Sequence, residues 1–332
     1  MPSSYHHHHR HWIGFVFTML IIFSLLSLLI SIIFGSVHLS THEVYSAWRW
    51  HSQSISHQIV FQFRLPRAAC AFITGGLLGL AGALMQTLLR NPLADPYVLG
   101  ISGGSSAATL LAILLGVSSG LNVATFLGSM ISMILVLSLV RVQGQISSLK
   151  LLLTGIVVAM GWSAIISLIL TVAPDESLRG MFFWLMGDLT YAHFSWWQPG
   201  ILLAGFVASF VLAKPLNVLS RGELTARSLG VNTHRLYCFL YLVSSILTAC
   251  AVSIAGCIGF IGLIVPHMLR LMGSSDHRFV LPASILLGGS FLTCADVLAR
   301  SIVSPTQLPV GMVTAIIGVP CFLVLLRRGN SS

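Results

Sequence analysis

Charge is what this sequence lacks: 8% of its 332 residues are Asp, Glu, Lys or Arg, against roughly 25% in soluble domains. Hydrophobic residues make up 56%, so a water-soluble fold of this length has too few polar residues to cover its surface. A disordered chain and a coiled coil are excluded for the same reason. Cysteine is sparse as well. Cys70, Cys238, Cys250, Cys257, Cys294 and Cys321 stand singly in or beside apolar runs with no CxxC pair, which reads as packing and not as a metal site or disulfide framework. HExxH, GxSxG, paired carboxylates and a Walker motif are all missing, which argues against a membrane hydrolase and against ATP hydrolysis on this chain. Nor does a titratable residue sit in mid-span: Asp188, His267 and Asp296 fall near predicted span ends. An intramembrane charge costs at least ~2.5–3.5 kcal/mol and is kept only for use, so this absence counts against a carrier powered by its own ion coupling. Energy for uphill transport would have to come from another subunit.

What remains is apolar sequence cut by a few charges. Uncharged runs cover residues 12–37, 68–89, 96–140, 151–174, 189–213, 236–269, 279–295 and 301–326. A crossing helix needs about 20 residues, so the run 96–140 holds two crossings, split near 116–122. The run 236–269 holds two only if they are short or broken, as Gly256, Gly259, Gly262 and Pro266 suggest. Ten spans result, and the expected class is an all-α polytopic membrane protein, one transmembrane domain over residues 1–332.

Ten spans place both termini on one side. Cytoplasmic termini put twelve basic residues inside and leave Arg49, Arg64, Arg67, Arg179 and Arg300 outside, which satisfies the positive-inside rule. The net charge of +9 then reflects topology and calls for no nucleic-acid partner. The first span is too long, and lacks a small-residue cleavage site, to read as a cleaved signal peptide. His6–His9 with His11 form a histidine cluster to which no function is assigned. His38, His42, His51 and His57 fall with Trp48 and Trp50 in an external stretch, where interfacial Trp and surface His are the commoner reading than a haem or metal contact.

One cytoplasmic connection is too patterned for a plain loop. Residues 214–235 read KPLNVLSRGELTARSLGVNTHR. Ser220 followed by Glu223 is a capping-box signature, and Gly230 stands where a left-handed C-cap belongs. The spacing predicts a short helix over 221–229, with Leu224 and Leu229 offering an apolar contact.

Four stretches resemble the FecCD-type permeases. They are RLPRAACAFITGGLLGLAGALMQTLLRNPLADPYVLGISGG (64–104), GELTARSLGV (222–231), IGFIGLIVPHMLRLMGSSDHRFVLP (258–282) and ADVLAR…LPVGMVTAIIGVP (295–320). The resemblance implies a type II permease subunit of ATP-binding-cassette importers for vitamin B12, iron(III)-siderophores or haem, working by alternating access in a bacterial inner membrane. It also implies the partners: a second copy of the chain, two cytoplasmic ATPases that hold the ATP and Mg, and a periplasmic or lipid-anchored binding protein. No cofactor is expected on this chain, which is no enzyme in this reading. An ATP-independent carrier or channel of the same fold is the alternative.

Residue roles follow from the matched motifs. Arg64, Arg67 and Arg300 take the positions at which the family's B12 importers engage acidic residues of the binding protein, although Asp296 and Arg300, four apart on a helix, also suit a simple ion pair. Ser220, Glu223, Ala226, Arg227, Leu229 and Gly230 fall in the segment that lies in an ATPase groove and transmits its closure. Asn91 and Leu93 match a narrowing of the cytoplasmic exit. A second constriction is placed at Ser147 and Ser148, where QGQISSLK departs from the family wording; structural turns are the alternative at both places. The small residues of 75–82 and 100–108 favour close helix packing and suit a wide pathway between subunits. The wording around GELTARSLG and FIGLIVPHMLRL leans towards the B12 importers.

Overall fold

The computed structural model describes residues 3–37, 39–49, 54–117, 119–142, 147–272 and 274–329. The elements are α1 (Ser3–Ile33), α2 (Thr41–Arg49), α3 (Ile55–Gln58), α4 (Leu65–Leu89), α5 (Ile101–Leu114), α6 (Leu121–Val142), α7 (Ser148–Val172), α8 (Asp175–Leu185), α9 (Trp197–Val211), α10 (Ala213–Ser220), α11 (Glu223–Ser228), α12 (Thr233–Ala255), α13 (Ile261–Leu271), α14 (His277–Ser301) and α15 (Val310–Gly329). A π-helical turn over Ile59–Arg64 joins α3 to α4, and a 3-10 turn over Pro96–Leu99 precedes α5. No strand occurs among the described residues.

Six helices are long and apolar enough to cross a membrane, α9 and α10 form a seventh unit bent by 64°, and α5, α13 and α15 are shorter apolar helices. These make the ten apolar units expected from the charge positions, with the break between α5 and α6 where it was placed. The run 236–269 differs from expectation. Its first half, α12, is a full 23-residue span, and only α13 is short. Residues 279–295, counted as one crossing, belong to a 25-residue helix, His277–Ser301, that takes in His277 and Arg300 at its two ends. The side chains of His38, Trp48, Trp50 and His51 lie outside the described residues.

The helices form an inner set and an outer set. In α4, 89% of the crossing segment is buried, against 17% in α7. The sequence of α4 explains its place: Gly75 and Gly79 lie one turn apart, and across from them α14 presents Gly288 and Ser284. A β-carbon on Gly75 would fall onto the carbonyl of Gly288, and one on Gly288 onto the carbonyl of Gly75, so these two helices touch through their backbones. The 75–82 segment is therefore enclosed by the chain's own helices, the close packing expected of its small residues.

At 11 residues α13 is about 16 Å long, half a bilayer. Residues 257–259 thus lie at membrane depth without helical bonding, and neighbouring groups take over. Ile258 N–H donates to the Tyr97 hydroxyl (3.1 Å), Asp188 N–H to the Ala255 carbonyl (2.9 Å), and the Thr314 hydroxyl to the Gly259 carbonyl (3.3 Å). Irregular backbone is tolerated at such depth only when satisfied in this way.

Candidate functional site

The chain has two polar ends, here named for one residue each. At the Glu223 end, α10 carries the chain to Arg221, Gly222 turns it at φ 129°, and α11 follows. The expected capping box does not form. Ser220 still belongs to α10, and its hydroxyl donates back to the Leu216 carbonyl (2.9 Å), so Gly222 takes the N-cap position without a side-chain bond. The helix is correspondingly shorter than the expected 221–229. The far end matches expectation: Gly230 (φ 80°) donates to Arg227 and Val231 to Ala226, which is a Schellman closure.

Freed from capping, Glu223 becomes a hub. Its carboxylate accepts from Arg227 Nη2 (2.6 Å) and from the Tyr237 hydroxyl (3.0 Å), and Arg90 Nη2 stands 3.9 Å away. Arg227 Nε donates in turn to Thr233 (3.2 Å). Ala226 is buried beneath α11, whereas Leu224 and Leu229 are 84% and 66% exposed. Two bare leucines on so short a helix present an uncovered apolar knob.

Arg90 ends α4 in the left-handed conformation (φ 49°), and Pro92 prevents the helix from continuing. Asn91 Oδ1 accepts from Leu93 N–H (2.9 Å), fixing a tight turn that leaves Leu93 37% exposed. Ser147 caps α7 by accepting from Lys150 N–H (3.4 Å), and the buried Ser148 hydroxyl donates to the Leu88 carbonyl (2.7 Å). Asn91, Leu93, Ser147, Ser148 and the α11 segment therefore converge on the end of α4. Nothing in the sequence pattern singled out Arg90 or Tyr237.

At the opposite, Arg300 end, the guanidiniums of Arg64, Arg67 and Arg300 turn inward, and the Asp296–Arg300 ion pair suited by their spacing is present. Asp296, fully buried, accepts from Arg67 Nε and Nη2 (3.0 and 2.9 Å) and pairs with Arg300 Nε (3.0 Å). Arg67 Nη1 donates to Gln307 (2.6 Å) and Arg300 Nη2 to the Ser31 hydroxyl (2.8 Å). Arg64 lies 4% exposed and donates to the carbonyls of Ile32, Ile33 and Val37 (2.8, 2.6 and 2.5 Å). The three arginines thus tie α1, α4 and α14 together. Within this node three guanidiniums meet a single carboxylate.

Ten apolar helical units with a bent, capped segment at one end describe a multi-pass membrane protein. The sequence matches the FecCD transport family over residues 20–328, and the chain belongs to that family. Similar curated proteins include the vitamin B12 import system permease of Vibrio parahaemolyticus, 35% identical over 91% of this chain and 92% of its own length. The hemin transport system permease of Yersinia pestis is 35% identical over 96% of both. An ABC transporter permease of Bacillus subtilis is 36% identical over 92% of this chain and 91% of its own length. Among solved structures, an inward-facing ABC transporter described as of metal-chelate type superposes with a TM-score of 0.83 at 31% identity, covering 95% of this chain and 99% of that one.

Proposed function

We propose that two copies of this chain form the translocation pathway of a metal-chelate importer in a bacterial cytoplasmic membrane, with the Glu223 end facing the cytoplasm. Two separate ATPase subunits seat on the exposed Leu224 of α11 and Leu229 at its C-cap. ATP and Mg stay on those subunits. The observation that carries the reading is the Glu223 hub. Movement of α11 is felt at Arg90 through Glu223, and Arg90 directly precedes the Asn91–Leu93 turn beside Ser147 and Ser148. A push on the coupling helix is thereby converted into displacement of the exit constriction, which alternates access between the two sides.

The buried arginines act on the binding protein through their field and not through direct contact. The node's local excess of guanidinium over carboxylate, doubled in the dimer, favours acidic side chains of that partner at close range. The names of two relatives, a vitamin B12 import permease and a hemin transport permease, support a metal chelate as the substrate: vitamin B12, haem or an iron(III)-siderophore. Proteoliposomes holding this chain, its ATPase and its binding protein test the reading with labelled cobalamin, a ferric siderophore and haem. ATP-dependent uptake of one cargo, abolished in Arg227→Glu, is expected. Uptake indifferent to ATP and to the variant would sink it in favour of an ATP-independent carrier or channel.

A further inference from the structure

A cleft of about 490 Å³ opens at the Glu223 end between the last turn of α4, the end of α10 and the junction of α13 with α14. Its walls include Gln86, Arg90, Asn217, Arg221, Arg270 and Asp276. Three guanidiniums meet one carboxylate there. Asp276 is already engaged as the N-cap of α14, accepting from Arg278 N–H (2.9 Å) and from Asn217 Nδ2 (2.7 Å). Arg90 leans towards Glu223, which is shared with Arg227. Among the described residues, no ion pair involves Arg221 or Arg270.

Arg270 is the telling residue. It is half-buried in the last turn of α13, and its Nη1 donates to Gln86 Oε1. Gln86 is itself pinned, its Nε2 donating to the Leu263 carbonyl (2.9 Å), so Arg270 leans on a neutral group that cannot balance its charge. A desolvated guanidinium without an anion is costly, and its planar fork of donors matches the oxygens of a phosphate.

We propose that this cleft is a phosphate-binding site, filled by the headgroup of an anionic phospholipid. The depth of the cleft argues for a lipid. It sits where the apolar stretches of α4, α13 and α14 end, at headgroup level. Nearby, the Trp12 indole N–H donates to the Met272 carbonyl (3.1 Å), two residues beyond Arg270, as an interfacial Trp does. Basic pockets between membrane helices are recurrent headgroup sites. A phosphate bridging Arg270 and Arg221 would tie α13 to α10 beside the Asn91 turn. The proposal rests on the fold alone and not on cargo or ATPase.

Native mass spectrometry of the full-length chain, exchanged against equal amounts of phosphatidylglycerol and phosphatidylcholine, tests it. Phosphatidylglycerol should be retained preferentially, with about a fivefold loss for Arg221→Gln and again for Arg270→Gln. Arg235→Gln, which removes an exposed charge at the same end outside the cleft, should change retention little. Arg221 is exposed, so its variant carries the test even if Arg270→Gln fails to fold. Inorganic phosphate is added in a parallel arm at constant ionic strength. If it stabilises the chain in an Arg221-dependent way while the two lipids bind equally, the phosphate site stands and lipid as its source is overturned. Equal lipid retention with no response to phosphate overturns the proposal. So does a result in which Arg221→Gln leaves lipid binding intact and weakens only the binding of the ATPase subunit.

Discussion

Replacing Asp296 by Ala should be the most damaging single change at the Arg300 end. The carboxylate is fully buried and serves both Arg67 and Arg300. Breaking a buried pair by removing one partner costs about 3–5 kcal/mol, because a charge is left without compensation. Here two cations are stranded, so the cost should lie near the top of that range, a large part of a total stability of roughly 5–15 kcal/mol. Arg300→Met should be milder, about 1.5–3 kcal/mol, since Asp296 keeps Arg67 and what is lost is charge-assisted hydrogen bonding. The double variant should then be more stable than Asp296→Ala alone, because one stranded cation has gone. Unfolding of the purified chain by SDS titration, followed through its seven tryptophans, gives all three values. A cost below about 1 kcal/mol for Asp296→Ala, or a double variant less stable than the single, would refute the view of this node as the brace of α1, α4 and α14.

Other expectations follow from the same geometry. Glu223→Gln breaks exposed pairs, so stability should change by less than about 1 kcal/mol while ATP-driven uptake is lost; exchanging the two charges, as Glu223→Arg with Arg90→Glu, should restore part of that uptake. Gly288→Leu drives a β-carbon into the Gly75 backbone and should cost more than about 3 kcal/mol, read as lost folded yield. Gly161→Ala, with open space around it, should be neutral or stabilising by up to about 1 kcal/mol in the same assay. Burial pushes the half-buried Asp95 up to about 6 from 3.8, against the pull of the Tyr97 N–H. A carboxyl whose folded pKa is raised stabilises below its unfolded value, so unfolding free energy should fall as pH rises from about 4 to 6. Asp95→Asn should flatten that slope.

Much of this was legible in the sequence, and the rest fails for identifiable reasons. Span number follows from where charges interrupt apolar runs, because the bilayer fixes helix length. The Gly230 closure was legible because only a glycine readily adopts the left-handed turn there. Ser220 misled: a Ser three residues before a Glu caps only if the helix begins there, and α10 already runs through it. The inward turn of Arg67 was hidden for another reason. Local spacing displays the Asp296–Arg300 pair, but Arg67 reaches Asp296 across 229 residues, a distance no local pattern encodes. Small residues at 75–82 signalled close packing correctly. They carry no mark of whether the neighbour is the same chain or a second copy.

The seclusion of α4 has a consequence for how the protein is made. This helix emerges second among the spans, yet the surface that covers its glycines belongs to α14, about two hundred residues later. At roughly 5–20 residues per second, the ribosome needs about 10–40 s to deliver it. For that interval a glycine face destined to be covered by protein must wait with its notch open, in the bilayer or at the insertion machinery. Substitutions along that notch should therefore betray themselves first as nascent chains cleared by proteases, before any mature importer exists to be tested.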